Sequence, residues 1–358
     1  MNNITLLQSN PPFRITPTVF SDPANPTVSL SDPYQTGGAL PTGPFNIASV
    51  DASRSLPNAY TQNYSLLIQQ EVLPQTTLEI GYVGAQSKHL DRSDSGNLAS
   101  PGPGAIQPRR PFPMWADIRV LRNDVTSSYN SLQSTLRRRT SNGLTMIGTY
   151  AWSKTIDDGN DYNAGARAQD PERRFLERGP SQFDFTHRMT WSVVYELPFF
   201  AGASRSLQRT LLGGWQLNGI YVFESGRVFS ISAAGDRANT GSGAQRADRL
   251  ADGRLPRSER TIDRWFVTGA FAQPQQFTYG NAGRHILRGP ITNTLDFGAV
   301  KNFRFAERHN VQFRAEFFGF TNTPNFGLPG ATVGTPLFGI IRSAEGNRNV
   351  QLALKYSF

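Results

Sequence analysis

The strongest constraint on this chain is a two-residue alternation of apolar and polar side chains that recurs about ten times. In the run nearest the C-terminus, Val350, Leu352, Leu354, Tyr356 and Phe358 occupy alternate positions, and the residues between them are polar or small. Successive side chains of a β-strand point to opposite faces of a sheet, so this spacing is typical of a strand with one apolar face. The sequence therefore predicts an all-β fold of about ten antiparallel strands.

Earlier runs show the same pattern, with charged residues such as Asp296, Arg314 and Glu316 confined to the polar face. Their apolar stripes are Tyr64, Leu66 and Ile68; Leu78, Ile80 and Tyr82; Leu144, Met146, Gly148, Tyr150 and Trp152; Met189, Trp191, Val193, Tyr195 and Leu197; Trp215, Leu217, Gly219, Tyr221 and Phe223; Leu295, Phe297 and Ala299; and Val311, Phe313, Ala315 and Phe317. Together the stripes predict one continuous apolar face.

The connections between the runs alternate in length. Inner turns are expected at residues 73–75, 141–143, 198–212 and 305–308, and outer connections at residues 87–126, 156–182, 225–292 and 321–345. Outer-membrane barrels join their strands by short periplasmic turns and longer extracellular loops. In one inner turn, Ser141-Asn142-Gly143 suits a three-residue loop that pairs Thr140 with Leu144 and keeps the apolar stripe on one face.

Composition decides between a soluble and a membrane-embedded sheet. Only 38% of the residues are apolar, and no stretch approaches the roughly 20 consecutive apolar residues of a membrane-spanning helix. In hydrocarbon every backbone polar group must be paired within the protein, which leaves a β-barrel as the spanning structure. The sequence predicts an antiparallel transmembrane β-barrel at residues 59–358, preceded by an extracellular loop or irregular lead-in segment at residues 1–58.

No catalytic, cofactor-binding or metal-binding residue is predicted. The chain lacks cysteine, which excludes disulfides and thiolate sites. The four histidines, His89, His187, His285 and His309, show no convincing carboxylate partner in the sequence. Asp157, Asp158 and Asp161 lack a downstream bidentate Glu, so an ordinary solvated loop is favoured over a calcium site.

The net charge of +9 comes from arginines spread over many segments, which does not favour nucleic-acid binding. Ligand recognition is expected in the long loops at residues 87–126 and 225–292, because loops on a rigid scaffold carry function.

Several ordered motifs between residues 58 and 358 resemble the TonB-dependent outer-membrane receptors of the Oar-like, carboxypeptidase-regulatory-domain type. These motifs are Tyr129-Asn130-Ser131-Leu132-Gln133, Tyr150-Ala151-Trp152-Ser153-Lys154, Arg178-Gly179-Pro180, Gly213-Gly214-Trp215-Gln216-Leu217, Tyr279-Gly280-Asn281-Ala282-Gly283-Arg284, Phe313-Arg314-Ala315-Glu316-Phe317-Phe318 and Asn322-Thr323-Pro324-Asn325-Phe326. The resemblance implies part of an approximately 22-stranded barrel in the outer membrane of a Gram-negative bacterium.

That family takes up ligands with energy passed on by TonB through an N-terminal plug. No plug, TonB box or signal peptide is recognisable before Asn58, so the chain is expected to be the C-terminal barrel portion, without a cofactor. The terminal stripe from Val350 to Phe358 resembles the signal read by the barrel assembly machinery. The expected partners are outer-membrane lipid, that machinery and, only through the missing plug, TonB. The alternatives are an autonomous small outer-membrane barrel, protease-like or adhesin-like, and a soluble β-rich binding module.

Overall fold

The computed structural model describes residues 44–51, 57–140, 142–159, 168–199, 211–243, 245–305 and 309–358. The longer strands within these ranges are β1 (Phe45–Asp51), β2 (Tyr60–Leu73), β3 (Thr76–Ser95), β4 (Trp115–Arg139), β5 (Leu144–Asp157), β6 (His187–Glu196), β7 (Trp215–Glu224), β8 (Thr292–Phe305), β9 (His309–Phe318) and β10 (Asn349–Ser357).

Strands β2 to β10 form an antiparallel meander in which each strand pairs with the next one along the chain. β1 lies outside this series and runs parallel to the beginning of β4, with Phe45 opposite Trp115. Within the described residues the sheet thus has nine strands in the meander, β1 beside β4 and the short strand Gly179–Pro180 beside β5, which confirms the predicted all-β class. β1 falls within the predicted lead-in segment, whose residues 1–43 and 52–56 lie outside the described residues.

The remaining short elements lie in the outer connections. The two-residue strands are Gly179–Pro180, Val228–Phe229, Ser232–Ala233, Asp248–Arg249, Phe271–Ala272, Leu287–Arg288, Asn325–Phe326, Thr332–Val333 and Ala344–Glu345, and the 3₁₀ helices are Gln107–Arg109, Arg174–Glu177, Arg257–Glu259 and Thr268–Ala270. Over the described ranges, no helix combines the length and apolar character needed to span a membrane.

The predicted apolar stripes lie on one face of the sheet, and most of their residues are exposed or half-buried. On β10, 66% of Leu352 and 75% of Leu354 are accessible, and these residues lie opposite Ala315 and Phe313 of β9. On β2, 67% of Ile68 is accessible as well. A soluble protein rarely leaves such a continuous apolar surface in water, whereas lipid tails solvate it.

The inner turn between β4 and β5 has the predicted register. The Thr140 amide donates to the carbonyl of Leu144 at 2.8 Å, and Gly143 has a φ of +81°. Glycine adopts this left-handed backbone conformation readily, whereas few other residues do. Residues 141, 200–210 and 306–308 of the inner turns lie outside the described part of the chain.

Strands β3 and β4 are longer than the sequence predicted. Residues 88–95 and 115–126 were expected in an outer loop, but they continue the paired ladder as far as Ser95 opposite Arg119. The register shifts around His89, whose φ is +58°, mark a bulge within the hairpin. Since strands of about 9–11 residues span a membrane, a β4 of 25 residues projects well beyond the apolar band.

The main cluster of buried apolar residues lies in the outer connections. It consists of eight buried residues, which we call the loop core: Phe229, Ile231, Ala247, Phe266, Ala270, Phe271, Leu287 and Val333. All come from the connections at residues 225–292 and 321–345. These two connections therefore pack together into one body at the outer end of the sheet.

Candidate ligand-binding site in the outer loops

The connection between β7 and β8 is closed near its base by a short antiparallel pair. Val228 lies opposite Arg288, and Phe229 lies opposite Leu287. Phe266 lies at the centre of the loop core with 1% of its surface accessible, and its ring centroid is 5.9 Å from that of Phe229. Aromatic packing of this kind gives a loop a fixed shape.

A buried carboxylate joins this body to the sheet. Asp184, in the connection between β5 and β6, has no accessible surface and accepts hydrogen bonds from the Thr155 amide at 2.6 Å and from Lys154 Nζ at 3.1 Å. A guanidinium nitrogen of Arg288 also donates to this carboxylate. Because a buried charge is costly unless paired, these contacts fix where Lys154 and Arg288 lie.

The backbone of Arg288 is held from the other side by a tryptophan. The indole N–H of Trp265 donates to the Arg288 carbonyl at 2.8 Å, and the guanidinium of Arg260 lies over the Trp265 ring at 5.5 Å from its centroid. Arg260 Nε donates to the Leu255 carbonyl at 2.9 Å. The ring of Trp265 therefore holds Arg260 and Arg288 in neighbouring positions.

These residues surround a cavity of about 630 Å³, which we call the loop cavity. Its apolar and aromatic lining residues are Val228, Leu255, Trp265, Phe266, Ile286 and Leu287, and its cationic ones are Lys154, Arg254, Arg260 and Arg288. Pro180, Thr186 and His285 complete the lining. No carboxylate belongs to the lining found in the described part of the chain.

His285 contributes no charge at neutral pH. Its Nδ1–H donates to the Pro180 carbonyl at 2.6 Å. Burial lowers the pKa of His285 below its ordinary value, and the nearby Arg284 charge acts in the same direction. The positive charge of the loop cavity therefore comes from its lysine and arginines.

A second set of ion pairs attaches the β5–β6 connection to the projecting β3–β4 hairpin. Arg174 lies 3.2 Å from Asp124 and 2.5 Å from Asp158, and Arg92 Nε lies 2.6 Å from Asp124. Burial alone would raise the pKa of Asp124, but the hydrogen bond and charge of Arg92, with other arginines, lower it below the ordinary value.

The interpretation of Asp157 and Asp158 as part of a solvated loop is wrong. Asp157 pairs with the buried Arg284, and Asp158 accepts from the Thr126 amide at 2.7 Å. Both carboxylates belong to ion pairs, because arginines distant in sequence fold onto them. Asp161 lies outside the described residues, and within those that are described no group of three metal-ligating side chains occurs.

The histidines make contacts with tyrosines and main-chain carbonyls. His187 Nδ1 lies 2.8 Å from the Tyr150 hydroxyl, and His309 Nδ1 lies 2.6 Å from the Tyr356 hydroxyl. His89 Nδ1 lies 3.3 Å from the Asn123 carbonyl. The contacts of His187 and His309 with tyrosines are typical of an aromatic belt, and that of His89 is a contact with a neighbouring strand.

The predicted assembly-signal residues share the exposed face of β10. Their accessible fractions are 56% for Val350, 66% for Leu352, 75% for Leu354, 53% for Tyr356 and 90% for Phe358. β10 runs from the outer end of the sheet to the inner end, so the stripe begins at Val350 near the outer end and finishes at Phe358 on the inner side. None of these five residues lines the loop cavity.

One protein family matches nearly the whole chain: the outer membrane β-barrel domain, over residues 1–351. The chain belongs to this family. It is therefore an outer-membrane β-barrel protein, and its exposed stripes face lipid. No curated protein sequence matches the chain.

The chain is similar to solved structures of outer-membrane transporters. It is similar to the outer membrane transporter YddB from Escherichia coli, with a TM-score of 0.49 and 9% identity, covering 88% of this chain and 34% of that one. It is also similar to the FrpB iron transporter from Neisseria meningitidis, with a TM-score of 0.42 and 13% identity, covering 88% of this chain and 33% of that one. The barrel chain thus spans about a third of the length of these structures.

The sequence predicted that ligand recognition lies in the connection at residues 225–292, which provides most of the loop cavity, but it did not predict which residues line the cavity. Residues 225–292 contain ten arginines and no lysine, against five Asp and Glu residues. That excess of positive charge was a visible signal. No signal in the sequence indicated the contribution of Lys154, because Lys154 is positioned by Asp184, which folds back beside β5.

Proposed function

We propose that this chain is the C-terminal barrel portion of a TonB-dependent outer-membrane receptor, of the Oar-like type that its motifs resemble. Its outer loops would bind a ligand, and the complete receptor would import it without chemical conversion. The observation that carries the proposal is the direction of the two outermost strands.

β2 and β10 run in the same direction, from the outer end of the sheet to the inner end. The described meander has nine antiparallel strands, so its first and last strands are parallel. Bacterial single-chain barrels contain an even number of antiparallel strands, and an unpaired edge is not tolerated in hydrocarbon. Closure with antiparallel pairing therefore requires further strands, as the larger barrel of a receptor would provide.

β2 is also as accessible as an unpaired edge strand. Every one of its 14 residues is exposed, whereas β3 is largely covered. A long exposed edge strand pairs readily with another strand. Strands from the remainder of a larger receptor would supply that neighbour.

The size of the native protein tests this proposal. An antibody raised against residues 225–292 should detect, in outer membranes of the source cells, a heat-modifiable band well above the 39.5 kDa of this chain. The purified native protein should also bind the periplasmic domain of TonB. A single heat-modifiable band at 39.5 kDa would instead support an autonomous small barrel, and recovery without detergent would support a soluble module.

We also propose that the terminal stripe is read by the barrel assembly machinery. Val350, Leu352, Leu354, Tyr356 and Phe358 present a continuous row of exposed apolar side chains on β10. Such a row is needed against lipid in any case, so an assembly role requires an effect on the rate of insertion beyond an effect on stability.

A further inference from the structure

We infer that the loop cavity binds an anionic group carried on an apolar or aromatic body, such as a phosphate ester of a hydrophobic molecule. The inference rests on the proposed function only in placing this ligand on an import route. The binding itself follows from the residues that line the cavity.

The loop cavity carries more positive than negative charge. Lys154 and Arg288 share one carboxylate, that of Asp184. Arg254 Nε lies 3.9 Å from Asp252, whose side chain is 59% exposed, so that pair is weak. Arg260 is held by a carbonyl and a ring, neither of which neutralises its charge.

Geometry allows the cations to act together on one anion. Arg254 and Arg260 flank the 3₁₀ helix Arg257–Glu259, and both line the same cavity as Arg288. Guanidinium groups match the oxygens of phosphate and carboxylate and form strong charge-assisted hydrogen bonds with them. A phosphate or carboxylate among these side chains would offset a repulsion that the free protein carries.

The apolar side chains that line the cavity are suited to an apolar body. Trp265, Leu255 and Ile286 line the cavity beside the buried Phe266. A volume of about 630 Å³ lies within the range of cavities that hold small organic ligands. A bare inorganic anion would leave these apolar side chains uncovered, so the lining favours a ligand with both an anionic and an apolar part.

Two sources could supply such a molecule: a soluble ligand from the medium, or the phosphorylated lipid of the outer leaflet. Both present phosphate next to an apolar body. The experiment therefore has one arm for each source, and the first arm uses the native receptor in nanodiscs of phosphatidylcholine.

In the first arm, phenyl phosphate, inorganic phosphate and phenol are titrated by calorimetry. Phenyl phosphate should bind most tightly, and the double variant Arg254→Gln with Arg260→Gln should weaken its binding about tenfold or more, because two charge-assisted contacts are lost. The matched control is Arg257→Gln, an exposed arginine between them that does not line the cavity, and it should change binding less than about twofold.

In the second arm, the lipid phosphate retained by receptor purified from native membranes is compared among the same proteins. Loss of retained lipid A in the double variant, but not in the control, would identify the lipid as the source. Binding in the first arm alone would identify a soluble ligand.

The inference is overturned if the double variant matches the control in both arms, or if phenol binds as tightly as phenyl phosphate. Equal binding of inorganic phosphate and phenyl phosphate would remove the apolar part of the claim. Since both arms measure binding without TonB, a failure of import with intact binding would count against the proposed function and not against this site.

Discussion

Replacing Leu352 with arginine should destabilise the barrel, whereas the same replacement at the adjacent Gln351 should not. Leu352 is 66% exposed on the apolar face of β10 and lies opposite Ala315. Gln351 points to the other face and lies opposite Glu316, with which an arginine can pair. The two variants thus add one charge at neighbouring positions on opposite sides of the sheet.

The expected difference follows from the depth of β10 in the membrane. An arginine facing lipid near the bilayer midplane costs about 2–4 kcal/mol, and Leu352 lies close to the middle of a strand of nine residues. At about 1.4 kcal/mol per tenfold change, the equilibrium constant for folding should fall roughly 30- to 700-fold. An arginine at position 351 should change the free energy of unfolding by less than about 1 kcal/mol.

The assay is equilibrium unfolding of the native protein in phospholipid vesicles, followed by tryptophan fluorescence and by heat-modifiable mobility. Both variants are compared with the unmodified protein at the same lipid ratio. Equal destabilisation by the two variants, or a larger effect at Gln351, would refute the assignment of faces.

Three further predictions concern the loops and the chain end. Asp184→Asn should free the loop body, since breaking a buried ion pair costs about 3–5 kcal/mol, and should speed protease cleavage within residues 225–292, whereas Asp252→Asn should leave cleavage unchanged. The pKa of Asp124 is lowered in the folded state, so its pairing with Arg92 stabilises the fold above the unfolded pKa, and this stability is lost as the pH falls through the folded pKa. Protease cleavage of the β5–β6 connection should therefore rise only in strong acid. Asp124→Asn should raise this cleavage at neutral pH. Deletion of Phe358 should lower outer-membrane insertion of the protein, and unchanged surface protease patterns and heat-modifiable mobility would contradict the proposed assembly role.

The spanning part of the fold could be predicted from sequence because two signals act locally. The apolar stripe of each strand is readable at alternate positions, as in Trp191 and Val193, since each strand meets lipid on one face. The turn after Thr140 is readable because Gly143 alone suits its left-handed position. Neither signal depends on a distant residue.

The outer half of the structure could not be predicted in this way. Arg92 and Asp94 are buried in the β3–β4 extension, yet their polar pattern favoured a loop, since no apolar stripe is needed above the membrane. The pair between Arg284 and Asp157 joins residues that are 127 positions apart. Contacts of this kind arise from the packing of whole loops and leave no local periodicity.

Disulfide formation between the two edge strands tests the central claim most directly. Because the chain has no cysteine, Ser65→Cys on β2 can be combined in turn with Gln351→Cys, Ala353→Cys and Lys355→Cys on β10 and oxidised in native outer membranes. The control pair is Asn63→Cys with Ala85→Cys, which lie opposite each other on β2 and β3.

If the chain forms one part of a larger barrel, the control pair cross-links and none of the three edge pairs does. Cross-linking of any edge pair as efficiently as the control, within a single chain, would show that β2 and β10 are neighbours. That result would contradict the account, because the nine strands would then close on themselves.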